Sequence, residues 1–394
     1  MSLEYMIGGK IRQVISQKIN EDLAFPEKIR IVKAEYYTFV PQPRKTPWKD
    51  GTGKYRTTCV FPSWIKVWDQ DGVCGEGPAN PKVWEDAIPF MMGFKEPLTN
   101  LEWRKYLYWK ERGAKAYQPV MSQVETLLFD IIAKKRGIPM HRLLGAKKDY
   151  CDAYKGGGAT VLTDEQLVDE MKGIAAEGFK ATKMKISREE MSIDIRRLAL
   201  VREALGPDFA IAVDSNQAWD AETCMEFLKQ VEPYNIAFWE EPIVHTQTEE
   251  IAKLVAMMKA EGLYKPLAYG ENGTCMSDYQ AYMDAGVEII QPVPMMYTIA
   301  EPLRIANVAR AAGHRITSGQ NHMGCLMGTL LEDGEMIEFH RPNIEGVEEY
   351  YKECPKIGAD GKMHMPLHAG SPVIVDFEKL KADGRLAQVQ CKYC

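Results

Sequence analysis

From about residue 150 onward, short apolar, β-prone runs recur roughly every 20 to 30 residues, with amphipathic helical stretches between them. They centre near Ala153, Met184, Ala212, Phe238, Ala268, Ile290, Ile316 and Ile337, which makes eight. Strands alternating with helices at this spacing are the pattern of parallel βα units. Eight such units predict an α/β chain built on a (β/α)8 TIM barrel, with its active site at the C-terminal ends of the strands.

The chain has 394 residues, more than the roughly 250 a barrel needs. What precedes the barrel reads differently. IRIVKAEYYTFV and CVFPSWIKVWD have the β-branched and aromatic content of two strands, and DQDGVCGEG supplies a hairpin turn to a third. From Val83 to about Gly145 the spacing becomes helical, as in SQVETLLFDIIAKKRG. The expected division is an N-terminal α+β domain over 1–148, the barrel over 149–350 and a C-terminal segment over 351–394. No role is assigned to residues 1–28.

Between the first two expected strands lies PQPRKTPWKDGTGKYRTT, a Pro- and Gly-rich loop holding Arg44, Lys45, Lys49, Lys54 and Arg56 against one acid, Asp50. Such a loop is either solvated with incidental charge or a lid that attracts an anionic substrate. Trp48 and Tyr55 could cover the substrate or simply pin the loop. Elsewhere the net charge is -6 with no basic run, which argues against nucleic acid or an anionic membrane as partner. No apolar stretch approaches membrane-spanning length, and the start MSLEYMIGGKIRQ lacks the apolar core of a signal peptide, so a cytoplasmic protein is expected. The nine cysteines are scattered, and the single C-x-x-C of Cys391 and Cys394 has no second pair to complete a zinc site.

Chemistry concentrates where the strands should end. Asp214 in AVDSNQAW, Glu240 in IAFWEEP and Glu271 in LAYGEN follow three consecutive runs at intervals of 26 and 31 residues. On a barrel rim, three carboxylates can hold one hard divalent cation such as Mg2+. One unit upstream, Lys183 and Lys185 in TKMKIS face the same way on a strand, and their mutual repulsion is expected to lower the pKa of one toward that of a usable base. A cation that binds a substrate carboxylate stabilises the charge formed when the neighbouring carbon loses a proton. Each signal alone has a bland explanation: a helix cap, a solvated strand face, an acidic loop. Their joint order on successive units does not.

TKMKIS, VDSNQAW, WEEP, GEN and the late EMIEF segment together resemble the enolase superfamily, closest to its mandelate racemase-like group, over nearly everything from about Lys28 onward. That resemblance implies one Mg2+ per chain on Asp214, Glu240 and Glu271, with Glu241 behind them. It implies Lys185 as the base, Lys183 as its neighbour, and Glu338 as a partner of the substrate carboxylate. It further implies that the α+β domain caps the barrel, that the C-terminal tail returns to it, and that the chain forms dimers or higher homo-oligomers.

Two departures decide how far the activity carries over. The group generally places an Asp after the sixth strand and a His after the seventh; here EIIQPVPMM has Val293 and HRITSGQNHMG has Gly319 at those places. His322, three residues on, is the candidate replacement, with His340 and Tyr154 also considered as the acid. Tyr154, Asn216, Glu338, His340, Trp48 and Arg56 are expected to contact substrate. Racemisation needs a base on each face of the carbon, whereas dehydration needs one base and an acid for the departing hydroxyl. The expectation is therefore a dehydratase converting a sugar acid, a small-molecule carboxylate, to a 2-keto-3-deoxy acid. A racemase, epimerase or cycloisomerase of another carboxylate is the alternative, and a barrel that binds without turnover is a third.

Overall fold

The computed structural model describes residues 23–59, 61–110, 118–187, 190–293 and 299–393. Most of the segment left without a role and Cys394 of the C-x-x-C lie outside the described residues; Cys391 is exposed and unpaired.

The N-terminal unit is built on a sheet in which β1 (Ile31–Phe39), β4 (Trp64–Asp69) and β5 (Cys74–Pro78) pair antiparallel. The final strand, Leu386–Tyr393, adds to the free edge of β1, with Cys391 opposite Glu35. Helices α1 (Asn100–Lys110) and α2 (Gln118–Arg136) follow the sheet. Gly75 lets α2 approach closely, because a Cβ there would stand 2.4 Å from the Leu127 carbonyl oxygen.

The expected loop over residues 41–58 is instead a two-stranded ribbon, β2 (Gln42–Lys49) against β3 (Tyr55–Cys59). Pro43 and Pro47 made it read as irregular. A ribbon with no further neighbours tolerates prolines because few of its N–H groups are needed for pairing, and the register does shift between Pro43 and Trp48.

Eight parallel strands form the barrel: β6 (Tyr150–Gly157), β7 (Ala181–Lys185), β8 (Ala210–Asp214), β9 (Trp239–Glu240), β10 (Leu267–Tyr269), β11 (Ile289–Ile290), β12 (Arg315–Gln320) and β13 (Met336–His340). Each pairs with the next, and β13 pairs with β6 to close the ring. Every expected strand is present, although Phe238 falls one residue before β9. Helices α3 (Asp164–Ala176), α4 (Met191–Leu205), α5 (Ala221–Val231), α6 (Thr248–Ala260), α7 (Met276–Asp284) and α8 (Ala300–Ala311) cover the outside. Inside, Tyr154, Phe238 and Ile289 interleave with Ala181, Ala212 and Ala268. Alternating large and small residues fill the narrow interior as a packed floor rather than a pore. No helix among the described residues is long and apolar enough to cross a membrane.

Candidate active site

Strand parity places the charged residues. Lys183 and Lys185 alternate with Met184 on β7, so both ammonium groups enter the barrel mouth. Both are buried. Lys183 Nζ lies 2.7 Å from Glu240 Oε2, 2.9 Å from Glu338 Oε1 and 3.3 Å from Asp214 Oδ2. Lys185 Nζ donates to Asp214 Oδ2. The carboxylates end β8, β9 and the turn after β10, as the periodic spacing predicts.

The balance of charge differs from the expectation for the lysines. Burial works to lower both ammonium groups, and Lys183 does repel Lys185, but the carboxylates outweigh these effects and hold both lysines above their ordinary value. Burial and the neighbouring carboxylates push Glu240 up to about 8 despite Lys183, while burial and then the charges of Glu241 and Asp214 push Glu271 up to about 7. Glu338 and Asp214 go the other way. Burial raises each, yet the lysines hold both below the usual carboxylate range.

Among the described residues, no three His, Cys, Asp or Glu side chains converge as a cation cage would have them; the two ammonium groups lie between the carboxylates instead. The donor set nonetheless fits a hard cation. Four buried carboxyls, Asp214, Glu240, Glu241 and Glu338, and the half-buried Glu271 face two lysines, and uncompensated buried negative charge is costly. Gln291, at the end of β11, donates to Glu240 Oε2 at 2.9 Å while its own buried Oε1 accepts nothing. Glu241 has a separate task, accepting from Gln217 Nε2 at 2.6 Å and from Asn272 Nδ2 at 2.9 Å.

The rim is strained where it carries these groups. Ser187, Asn216, Gln217, Glu241 and Gln320 all have positive φ without being glycine, and each follows or ends a barrel strand; among the described residues only Asn235 shares that conformation elsewhere. Held strain of this kind collects at functional sites.

The other expected contacts divide. Trp48 on β2 is buried, its ring edge-on to His340 at 5.1 Å between centroids and its Nε1 without a partner. Tyr154 lines the same narrow cavity as Glu240, Glu271, Gln291, Val293, Gln320 and Glu338. Asn216 holds the ribbon to the rim, its Oδ1 accepting from Gly51 N at 3.2 Å; a Cβ on Gly51 would meet the Ser215 carbonyl oxygen at 2.8 Å. Arg56, directly across the ribbon from Trp48, is exposed. The ribbon's basic excess does not all face a substrate: Arg44 pairs with Glu345 at 2.7 Å and donates to the Pro342 carbonyl at 2.8 Å.

His322 is a correction. Its ring packs edge-on against Phe339 at 4.9 Å and Tyr351 at 5.2 Å. Phe339 lies between Glu338 and His340 on β13 and therefore faces the opposite side of the wall. The chain puts His322 behind the barrel, because Gly319 and Gln320 turn the end of β12 through positive φ. Burial lowers the imidazole to about 3. By contrast His340 enters the mouth, with Nδ1 3.1 Å from Glu338 Oε1.

A family model described as "Enolase C-terminal domain-like" matches residues 166–367. The arabinonate dehydratase of Saccharolobus solfataricus is 31% identical over 282 residues, 69% of this chain and 72% of that protein. This chain belongs to the enolase superfamily. The L-talarate/galactarate dehydratase of Salmonella typhimurium is 31% identical over 208 residues, 52% of this chain and 51% of that one. A crystal structure of that enzyme with Mg and L-lyxarohydroxamate superposes with a TM-score of 0.78 at 23% identity, covering 93% of this chain and 95% of that one. A racemase from Streptomyces coelicolor with bound magnesium superposes at 0.76 and 22%, covering 91% and 99%. At those identities the structural likeness speaks for the superfamily fold.

Two positioning groups were not foreseen. Arg197 on α4 is buried and donates to the carbonyls of Lys185 at 3.0 Å, Gly158 at 3.0 Å and Ala159 at 2.9 Å. The signal was a charged pair, Asp194 and Arg197, on the stripe that Leu198 and Val201 mark as buried. Gln291 could have been found by the strand-end rule that found the acids.

Proposed function

We propose that the protein is a Mg2+-dependent dehydratase that takes the α-proton from a sugar acid and expels its β-hydroxyl, giving a 2-keto-3-deoxy acid. The supporting observation is one-sidedness: Lys183, Lys185 and the carboxylates face a wall of Gln291, Val293, Ser318, Gly319 and Gln320, which among the described residues holds no ionisable base. A racemase needs a base on both sides. Relatives of this chain named as arabinonate, galactarate and galactonate dehydratases point the same way.

Asp214, Glu240 and Glu271 would hold Mg2+, which when bound neutralises the carboxylates and stabilises the charge that builds on a substrate carboxylate. With Asp214 and Glu240 so neutralised, burial and Lys183 favour the free amine of Lys185 against the weaker pull of Glu338. Lys185 then takes the α-proton. Lys183 keeps Glu338 ionised and holds Glu240 in place, Arg197 fixes the backbone beneath Lys185, and the ribbon lowers Trp48 over the mouth with an unused N–H for a substrate oxygen.

Incubation with Mg2+ and a panel of aldonic and aldaric acids should release a 2-keto acid from at least one, and Lys185→Ala should cut the rate by about 10²–10⁴-fold. Deuterium entering the α-carbon with no loss of water from any acid would favour racemisation instead.

A further inference from the structure

Breaking the bond to a β-hydroxyl needs an acid, since hydroxide leaves poorly, and the neutral wall offers none. His322 is packed behind β13. Tyr154 reaches the cavity from the barrel floor, where burial pushes its hydroxyl well above its ordinary value and makes it a weak proton donor.

His340 is placed differently. It lies two residues from Glu338 on β13, so both face the mouth, and Nδ1 stands 3.1 Å from Glu338 Oε1. The same carboxylate oxygen is 2.9 Å from Lys183 Nζ. Against an ionised carboxylate Nδ1 carries its hydrogen, which leaves Nε2, with no hydrogen bond in the structure, as the nitrogen that meets a ligand. Gly156, opposite His340 on β6, makes the space: a Cβ there would come within 2.2 Å of Glu338 Oε1 and 3.1 Å of His340 Nδ1. Trp48 closes the arrangement from above.

We propose that His340, oriented by Glu338, is the general acid of the dehydration, a dyad carried on the eighth barrel strand in place of the His and Asp that Gly319 and Val293 displace. The proposal rests on the dehydratase reading. Lys185 takes the α-proton, and the C–H electron pair moves into the carboxylate. As that pair returns to form the Cα–Cβ double bond, the Cβ–O bond breaks with its electrons on oxygen. That oxygen takes the proton from imidazolium Nε2 and departs as water. The enol product gains a proton at Cβ and loses one from oxygen, while Lys185 releases and His340 regains a proton through solvent, so the net change is loss of one water. Burial holds His340 below its ordinary value; of the charged groups facing it, Glu338 on its own strand favours the imidazolium and Lys183 and Lys185 on β7 oppose it, while Trp48 and Gly156 add no charge.

The alternative is that His340 only steadies Glu338. An analogue with fluorine in place of the β-hydroxyl separates the two, because fluoride needs no proton to leave. For a sugar acid the wild type dehydrates, His340→Asn should slow 2-keto acid release by about 10²–10⁴-fold. It should retain α-proton exchange with D2O and release fluoride from the β-fluoro analogue within about tenfold of wild type. Fluoride release and exchange falling in step with dehydration would overturn the acid role. If wild type releases neither keto acid nor fluoride from aldonic and aldaric acids and their analogues, the dehydratase reading fails first and the proposal with it.

Discussion

The barrel mouth has two unlike halves. Strands β13, β7, β8 and β9 deliver Glu338, His340, Lys183, Lys185, Asp214 and Glu240, while β12 and the turn after β11 deliver Gly319, Gln320, Gln291 and Val293. The first half is held together by charges that cannot be removed singly. Among the described residues the second offers amides, a serine hydroxyl, a valine and a glycine, none of them a base. Division of labour across the mouth therefore selects among the reactions the superfamily scaffold permits.

The sharpest way to break this comparison is to unbalance the charged half. Lys183→Met leaves Glu240 and Glu338 buried without their nearest cation, and removing one partner of a buried pair costs about 3–5 kcal/mol. Urea denaturation of chelator-treated protein should show that loss. Gln320→Ala in the opposite half gives up two long contacts of 3.4 Å, one donated to Glu271 and one accepted from Asn343, and should cost about 1 kcal/mol or less. Similar losses for the two variants would mean that the halves do not differ in the way their charges indicate.

A smaller effect is expected at Gly156. Gly156→Ala introduces a methyl group into the space that Glu338 and His340 share, so the dyad must move or separate. Overpacking of this kind costs about 1–3 kcal/mol. In turnover the loss should fall mainly on kcat, because the acid is displaced more than the substrate's carboxylate is. Unchanged kcat with full stability would place the dyad outside the reaction.

Legibility in the sequence followed physical determinacy. The strands and their terminal acids were readable because a repeated βα unit fixes both spacing and direction: a residue just after a parallel strand is at the rim whatever the helices do. His340 was readable by parity from Glu338. The misplaced residue was His322, because parity ends where a strand ends, and the positive φ of Gly319 and Gln320 sends the following turn to the other side of the wall. At Arg56 only the position was legible: it lies directly across the ribbon from Trp48, yet Trp48 is buried and Arg56 exposed, and pairing alone does not fix burial. The charge balance of Lys185 could not be read at all, since Lys183 is a neighbour along the chain whereas Asp214 arrives only with the fold.

The least disruptive test concerns the other imidazole, His322, which belongs to neither half. Burial lowers His322 to about 3 from an ordinary 6.5. Below pH 6.5 the unfolded chain takes up a proton that the folded chain refuses, so wild-type stability declines as pH falls toward 3, and His322 has no such effect above 6.5. Glu348 Oε2, 3.6 Å from Nε2, would partly accommodate the imidazolium, so the loss at pH 5 should be about 1–2 kcal/mol. His322→Phe keeps a ring against Phe339 and Tyr351 while removing the titration. It should match wild type within about 1 kcal/mol at pH 7.5 and gain on it at pH 5. Dehydration by this variant should stay within about threefold of wild type, since a proton donor would be missed by 10²-fold or more. A loss of that larger size would bring His322 back into the mouth and reopen the assignment of the acid to β13.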